Sequence, residues 1–229
     1  MLIHADFSRR VIVRPGDAPW VASPAGGVER VMLDRVGAEL ARATSLVRYA
    51  PGASFPPHAH PGGEEILVLE GTFADEDGAW TAGCYLRNPP GSRHAPYTTQ
   101  GAVIFVKLMQ MRAPAVPALR VDTHDPAGWQ DAARRRIRPL FTDAEETVFM
   151  QRLRGGEPLE LPDAPGAEVL VVDGTLRVDA HHAPRWSWVR MTAGDRPPIH
   201  AASDGALLYV KLGLPMPLPA APAAPGGRP

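Results

Sequence analysis

The residues of this chain that can do chemistry open with a pair of histidines in Gly52-Ala-Ser-Phe-Pro-Pro-His58-Ala-His60-Pro-Gly-Gly-Glu64-Glu65. Side chains alternate faces along a strand, so His58 and His60 project from the same side and can hold one ion. Pro61-Gly62-Gly63 turns the chain, after which Glu64 can reach back as a carboxylate ligand. A second stretch, Gly83–His94 (GCYLRNPPGSRH), contains Gly91, which permits a tight turn placing His94 on a neighbouring strand as a third imidazole. Three neutral imidazoles and one carboxylate suit a divalent transition metal. One histidine alone would mean little, and the joint spacing carries the assignment. Tyr85, Arg87 and Tyr97 flank the His94 stretch as candidate pocket lining for an anionic or carbonyl ligand. Cys84 reads as a small buried hydrophobe, because a redox role needs a depressed pKa and exposure.

Short strands must position these groups. Ala43–Tyr49 alternates, Glu64–Glu70 and Val103–Leu108 are short apolar runs, and Gly, Pro or Asp-Gly follows each run. The 22 Gly and 26 Pro among 229 residues supply the turns, and no strong helical period appears. The pattern predicts antiparallel β-structure of sandwich or barrel type. The same plan also occurs twice. The chain's two lysines occupy matching phrases, Phe105-Val-Lys-Leu108 and Tyr209-Val-Lys-Leu212. Val68-Leu-Glu-Gly-Thr72 matches Val171-Val-Asp-Gly-Thr175 at nearly the same spacing, as Tyr49–Gly52 matches Arg152–Gly155. This predicts a first unit over 1–112, a linker over 113–138, a second unit over 139–214 and a Pro/Ala-rich extended tail over 215–229. In Glu64–Glu70, Ile66 and Val68 can line a barrel while Leu67 and Leu69 face outward. Apolar residues on both faces need two covers, so the halves are expected to pack tightly together.

Sliding the second half over the first places Leu161, Asp163 and Ala167 opposite His58, His60 and Glu64, with Pro197 opposite His94. One metal per chain is therefore expected, and His181, His182 and His200 read as solvent-exposed. A formal net charge of -1 gives no broad field for nucleic acid, and Arg134–Arg136 reads as a solvated face. No stretch approaches the roughly 20 apolar residues of a membrane span. One cysteine and no signal-peptide pattern suggest a reducing, cytoplasmic setting.

Both metal stretches, Gly52–Gly71 and Gly83–His94, resemble the two motifs of the cupin superfamily at full spacing. The first is Gly, five residues, His-x-His, three or four residues, Glu, six residues, Gly. The second is Gly, five residues, Pro-x-Gly, two residues, His. The resemblance implies an all-β fold of two tandem cupin barrels (double-stranded β-helix, jelly-roll-like) packed together. It also favours Glu64 over Glu65 as the ligand, since six residues separate Glu64 from Gly71.

More narrowly, Leu67–Phe73, Asn88–Pro96 and Phe105–Leu108 resemble the cupin domain of ChrR-type anti-sigma factors and their stand-alone relatives. In that family zinc is bound by the histidines and glutamate that carry over to His58, His60, Glu64 and His94. The sequence enters strand-like residues within a few positions of Met1, so a sigma-binding domain and a sigma-factor partner are not expected. The resemblance implies a regulatory or sensor-type zinc protein responding to a small molecule or oxidant. The alternative is an Fe(II)-dependent dioxygenase cleaving a small diketone or hydroxy-ketone, with Mn or Ni as other metals the ligand set accepts. A homodimer is compatible with either reading.

Overall fold

The longest apolar run of the first repeat, Glu64–Asp75, alternates Ile66 and Val68 with Leu67 and Leu69, and all four are buried. That pattern requires a strand covered on both faces, and the fold supplies both covers. The computed structural model describes residues 1–38, 40–111, 117–132 and 135–213. The expected tail over 215–229 lies outside the described residues, as do Arg112–Val116 of the first boundary and Arg134 of the arginine run.

The strands of the first half are β1 (Leu2–Ile3), β2 (Val11–Val13), β3 (Val21–Ala22), β4 (Val28–Gly37), β5 (Ala41–Tyr49), β6 (His58–His60), β7 (Glu64–Asp75), β8 (Gly78–Thr81), β9 (Cys84–Asn88), β10 (Ser92–His94) and β11 (Ala102–Leu108). There follow β12 (Leu119–Asp122), a single 3-10 turn at Pro126–Gly128, β13 (Gln130–Ala132), β14 (Arg135–Thr142), β15 (Glu146–Leu153), β16 (Gly166–Val178), β17 (His181–Pro184), β18 (Trp188–Thr192) and β19 (Ile199–Gly213). Every strand pair is antiparallel. One sheet runs β1-β4-β5-β11-β7-β9-β12, the other β13-β14-β15-β19-β16-β18-β2, and β10 pairs with β6 alone.

These sheets do not follow the boundaries read from sequence. β2, near the N-terminus, adds to the edge of the second sheet beside β18. β12, inside the expected linker, adds to the edge of the first beside β9. The first half thus lends a strand to the second sheet, and the linker segment lends one to the first. The segment 113–138 reads as a linker because Pro and polar residues punctuate it, but strands this short carry too little periodicity to show.

Three apolar layers result. Ile66, Val68, Leu86, Ile104 and Val106 fill the first barrel, and Val169, Val171, Val189, Leu208 and Val210 fill the second. Leu67, Leu69, Tyr85 and Phe105 meet Val148, Met150, Leu170, Trp188 and Tyr209 in the seam between them. Both halves carry a left-handed glycine at the kink of their long strand, Gly71 (φ 69°) and Gly174 (φ 73°). A Cβ at either would collide with the carbonyl of Gly101 or Gly205, which explains why the repeated phrase keeps Gly-Thr.

The seam also holds buried charge, arranged in matching positions of the two repeats. Lys107 Nζ donates to Glu168 of the second barrel at 2.5 Å, and Lys211 Nζ donates to Glu65 of the first at 2.6 Å. The Trp188 indole donates to Glu168, and the Tyr209 hydroxyl donates to Glu65. Arg87 bridges Glu65 and Glu146, while Asp34 receives both Arg42 and Arg190. Burial alone would raise the Glu65 carboxyl, yet the charges of Lys211, Arg87 and Lys107 hold it at about 2.

Removing one partner of a buried pair strands the other, at a typical cost of about 3–5 kcal/mol. Lys211→Met should therefore destabilise the chain by about that much in denaturant titration, and the double change Lys211→Met/Glu65→Leu should recover much of the loss. Glu65 titrates at about 2 when folded, against an ordinary 4.5, so between those values the unfolded chain binds a proton that the folded one refuses. This contribution is full above pH 4.5 and fades as pH falls toward 2. Urea unfolding across that window should show a weaker pH dependence for Glu65→Gln than for wild type.

Candidate metal centre

β6 and β10 exist to bring histidines together. In their antiparallel register His58 stands opposite His94, and Ser92 opposite His60. The ligand atoms of His58, His60 and His94 lie within 4.8 Å of one another. Glu64 opens β7 just after the Pro61–Gly63 turn, and its Oε2 lies 3.4 Å from His60 Nε2 and 3.5 Å from His94 Nε2. Glu65 points the opposite way into the seam. Strand alternation therefore assigns one glutamate to each side of β7.

Each donor is held by a further group. Asn88, opposite Glu64 in the β7–β9 register, donates its side-chain amide to Glu64 Oε2 at 3.0 Å. His94 Nδ1 donates to Asp75 at 3.1 Å, and His58 Nδ1 donates to the Pro56 carbonyl at 2.8 Å. With their Nδ1 protons so engaged, His94 and His58 offer Nε2 lone pairs to the shared centre, a means of fixing the tautomer of a metal ligand. Burial pushes His60 down to about 3, with His94 and His58 adding to the effect, so it is a neutral imidazole. His60 Nε2 and His94 Nε2 lie 3.0 Å apart beside the Glu64 carboxylate. Burial raises the Glu64 carboxyl, an effect that a nearby cation would relieve, and three imidazoles converge beside it. The donor set therefore fits a divalent metal.

The centre opens into a cavity of about 320 Å³ inside the first barrel. His58, His60 and Glu64 form part of its wall, and Val28, Val47, Phe55, Ile104, Val106 and Leu108 make most of the rest apolar. Tyr49 also lines it, its hydroxyl pushed well above the ordinary range by burial and by nearby Glu64, so it stays protonated. Ser23, Arg30 and Arg35 also line it.

The expected pocket residues are placed differently. Cys84 and Leu86 face the barrel interior, so the alternation of β9 sends Tyr85 and Arg87 into the seam between barrels. They are separated from the cavity by the sheet itself. Tyr97 is 44% exposed and lines a separate surface cleft with Phe55, Pro56 and Pro57. Cys84 is half-buried, and burial raises its thiol. Sequence reasoning missed Asp75, Asn88, Tyr49, Arg30 and Arg35. Of these, only Asn88 lay inside a stretch that had been singled out for chemistry.

In the second barrel, Leu161 packs against the core, Ala167 is buried within it and Asp163 pairs with Arg196 on the surface. His181, His182 and His200 are exposed on β17 and β19.

Elemental analysis should find one equivalent of metal per chain in wild type and a loss of most of it in His58→Ala/His60→Ala. A second tightly held equivalent surviving that double change would contradict the assignment. Asp75→Asn keeps the shape but weakens the hold on the His94 tautomer, and metal affinity should fall by about 10–100-fold in competition with a chelator.

Residues 8–112 match the family described as the ChrR cupin-like domain. No curated protein sequence matches the chain. Among solved structures, the chain is similar to a proposed dioxygenase from Nostoc punctiforme, with TM-score 0.71 and 16% identity over 93% of this chain and 85% of that one. It is similar to the pirin YhhW from Escherichia coli in complex with nickel(II), with TM-score 0.67 and 14% identity over 90% of this chain and 99% of that one. It also resembles the 11S allergen of Cocos nucifera, with TM-score 0.65 and 9% identity over 91% and 90% of the two chains. Identities this low speak to the fold alone. In the described residues no helix is long and apolar enough to cross a membrane. The chain therefore has a cupin-type fold of two β-barrels back to back with the histidine cluster in the first, and its residues 8–112 are similar to the ChrR cupin-like domain.

Proposed function

We propose that this chain is a metal-dependent enzyme of the dioxygenase class, acting on a small diketone or hydroxy-ketone held in the first-barrel cavity. One observation carries the reading: His58, His60 and Glu64 are themselves part of the cavity wall, so a molecule inside it reaches the metal directly. A bound iron or related ion would supply Lewis acidity toward chelating oxygens and redox reach toward dioxygen. The chain's own residues do the rest. The apolar wall excludes water and favours a compact organic molecule. Tyr49 offers a neutral hydroxyl donor beside Glu64, and Asp75 and Asn88 keep His94 and Glu64 aimed.

The second reading, which the sequence favours, is a zinc-binding sensor. The match of residues 8–112 to the ChrR cupin-like domain supports it. In that case zinc is closed by four ligands, and the response is loss of the metal or oxidation of a ligand.

Metal content and O2 uptake with acetylacetone separate the two. The enzyme reading expects a redox-active metal and O2 consumption. It also expects Glu64→Ala to keep metal on three imidazoles while its reactivity changes. Stoichiometric zinc, no O2 uptake and metal loss in Glu64→Ala would instead establish the sensor.

A further inference from the structure

The cavity that opens onto the histidine cluster is mostly apolar, and besides the candidate metal donors, Tyr49 and Ser23 its wall carries two arginines. Arg30 and Arg35 both belong to β4, five residues apart, and a regular strand would place them on opposite faces. A register shift between Met32 and Asp34 changes that parity. Leu33 and Asp34 both turn to the seam, and Arg35 comes round to the face that Val28 and Arg30 present to the cavity.

Among the described residues, neither guanidinium group has a carboxylate partner. Arg35 is only 8% exposed, and it donates a hydrogen bond to the Ala38 carbonyl. Arg30 Nε is buried without a partner. Burial and the positive charge of Arg30 both push Arg35 below its ordinary range. The neighbouring acids are committed elsewhere: Glu29 pairs with Arg48, and Asp34 pairs with Arg42 and Arg190. Glu39 lies outside the described residues. Among those described, no carboxylate pairs with either arginine. Arg35 is buried, and Arg30 is half-buried with its Nε enclosed; a guanidinium so placed without a carboxylate is costly, and in a ligand cavity the ligand is the natural source of the missing acceptor.

We propose that Arg30 and Arg35 receive a carboxylate of the cavity's ligand, making the substrate a small organic acid with an apolar body and a chelating oxygen-bearing end. The inference rests on the reading of the cavity as a ligand site next to the metal and names the class of ligand. Arginine suits a carboxylate because its planar fork matches both oxygens. The apolar part of the wall takes the body of the molecule.

Benzoylpyruvate, an aryl diketone ending in a carboxylate, and its methyl ester differ in that one charge. Their dissociation constants for metal-loaded wild type are measured by calorimetry, with phenyl phosphate as a third probe. The acid should bind about 10–100-fold more tightly than the ester, the range of one or two charge-assisted hydrogen bonds. Arg30→Gln/Arg35→Gln should keep its metal content and its ester affinity while losing the preference for acid. Equal binding of acid and ester to wild type overturns the inference, and so does phenyl phosphate binding more tightly than the acid. In both cases the ligand-cavity reading stands. Binding of none of the three probes to metal-loaded protein overturns that reading as well. The wild-type comparison decides the matter even if the double variant fails to fold.

Discussion

Two lysine–glutamate pairs, crossed between the barrels, fix how this molecule is assembled. Lys107 lies beside Glu65 in the register of its own sheet but bonds Glu168 of the other, and Lys211 lies beside Glu168 but bonds Glu65. Apolar surfaces alone tolerate sliding, since burial has no direction. Buried charges do not, because a shift by one residue leaves ammonium and carboxylate groups without partners. The crossed pairs, reinforced by Trp188 and Tyr209, therefore select one orientation of the two sheets.

That seam bears directly on the metal centre. Glu65 is held by three cations on one face of β7, and the next residue back, Glu64, projects from the other face into the histidine cluster. Tyr85 and Arg87 brace β9 from the seam side, while Asn88 on the same strand holds Glu64 from the cavity side. The second barrel, whose interior is filled by aliphatic side chains, thus serves as a rigid backing for the sheet that carries the site. Rigid elements hold ligands more accurately than loops do.

Within the site, polar and apolar groups share one wall. Imidazoles and the Glu64 carboxyl line the cavity together with hydrocarbon and with two guanidinium groups. Hydrogen bonds to Asp75 and Pro56 settle which nitrogens of His94 and His58 carry protons. The cavity consequently discriminates by chemistry as well as by size.

The sequence by itself determined the repeat, the strand-rich class and the histidines His58, His60 and His94 as candidate donors, because period-two alternation and short turns are local properties of the chain. It also showed that Leu67 and Leu69 need a cover. Only the tertiary structure decided what provides that cover, which sheet edges β2 and β12 join and what lines the cavity. β2 and β12 are too short to announce a partner, and their pairing depends on edges formed by distant residues. Tyr85 and Arg87 sit near the metal motif in sequence yet face away from it, because adjacent residues on a strand point to opposite sides of a sheet. Arg30 and Arg35 reach the same cavity only through a bulge, which adds a residue to one strand and resets every side chain beyond it. Asp75 and Asn88 find His94 and Glu64 through cross-strand register and strand kinks, and these are fixed by the assembled barrel.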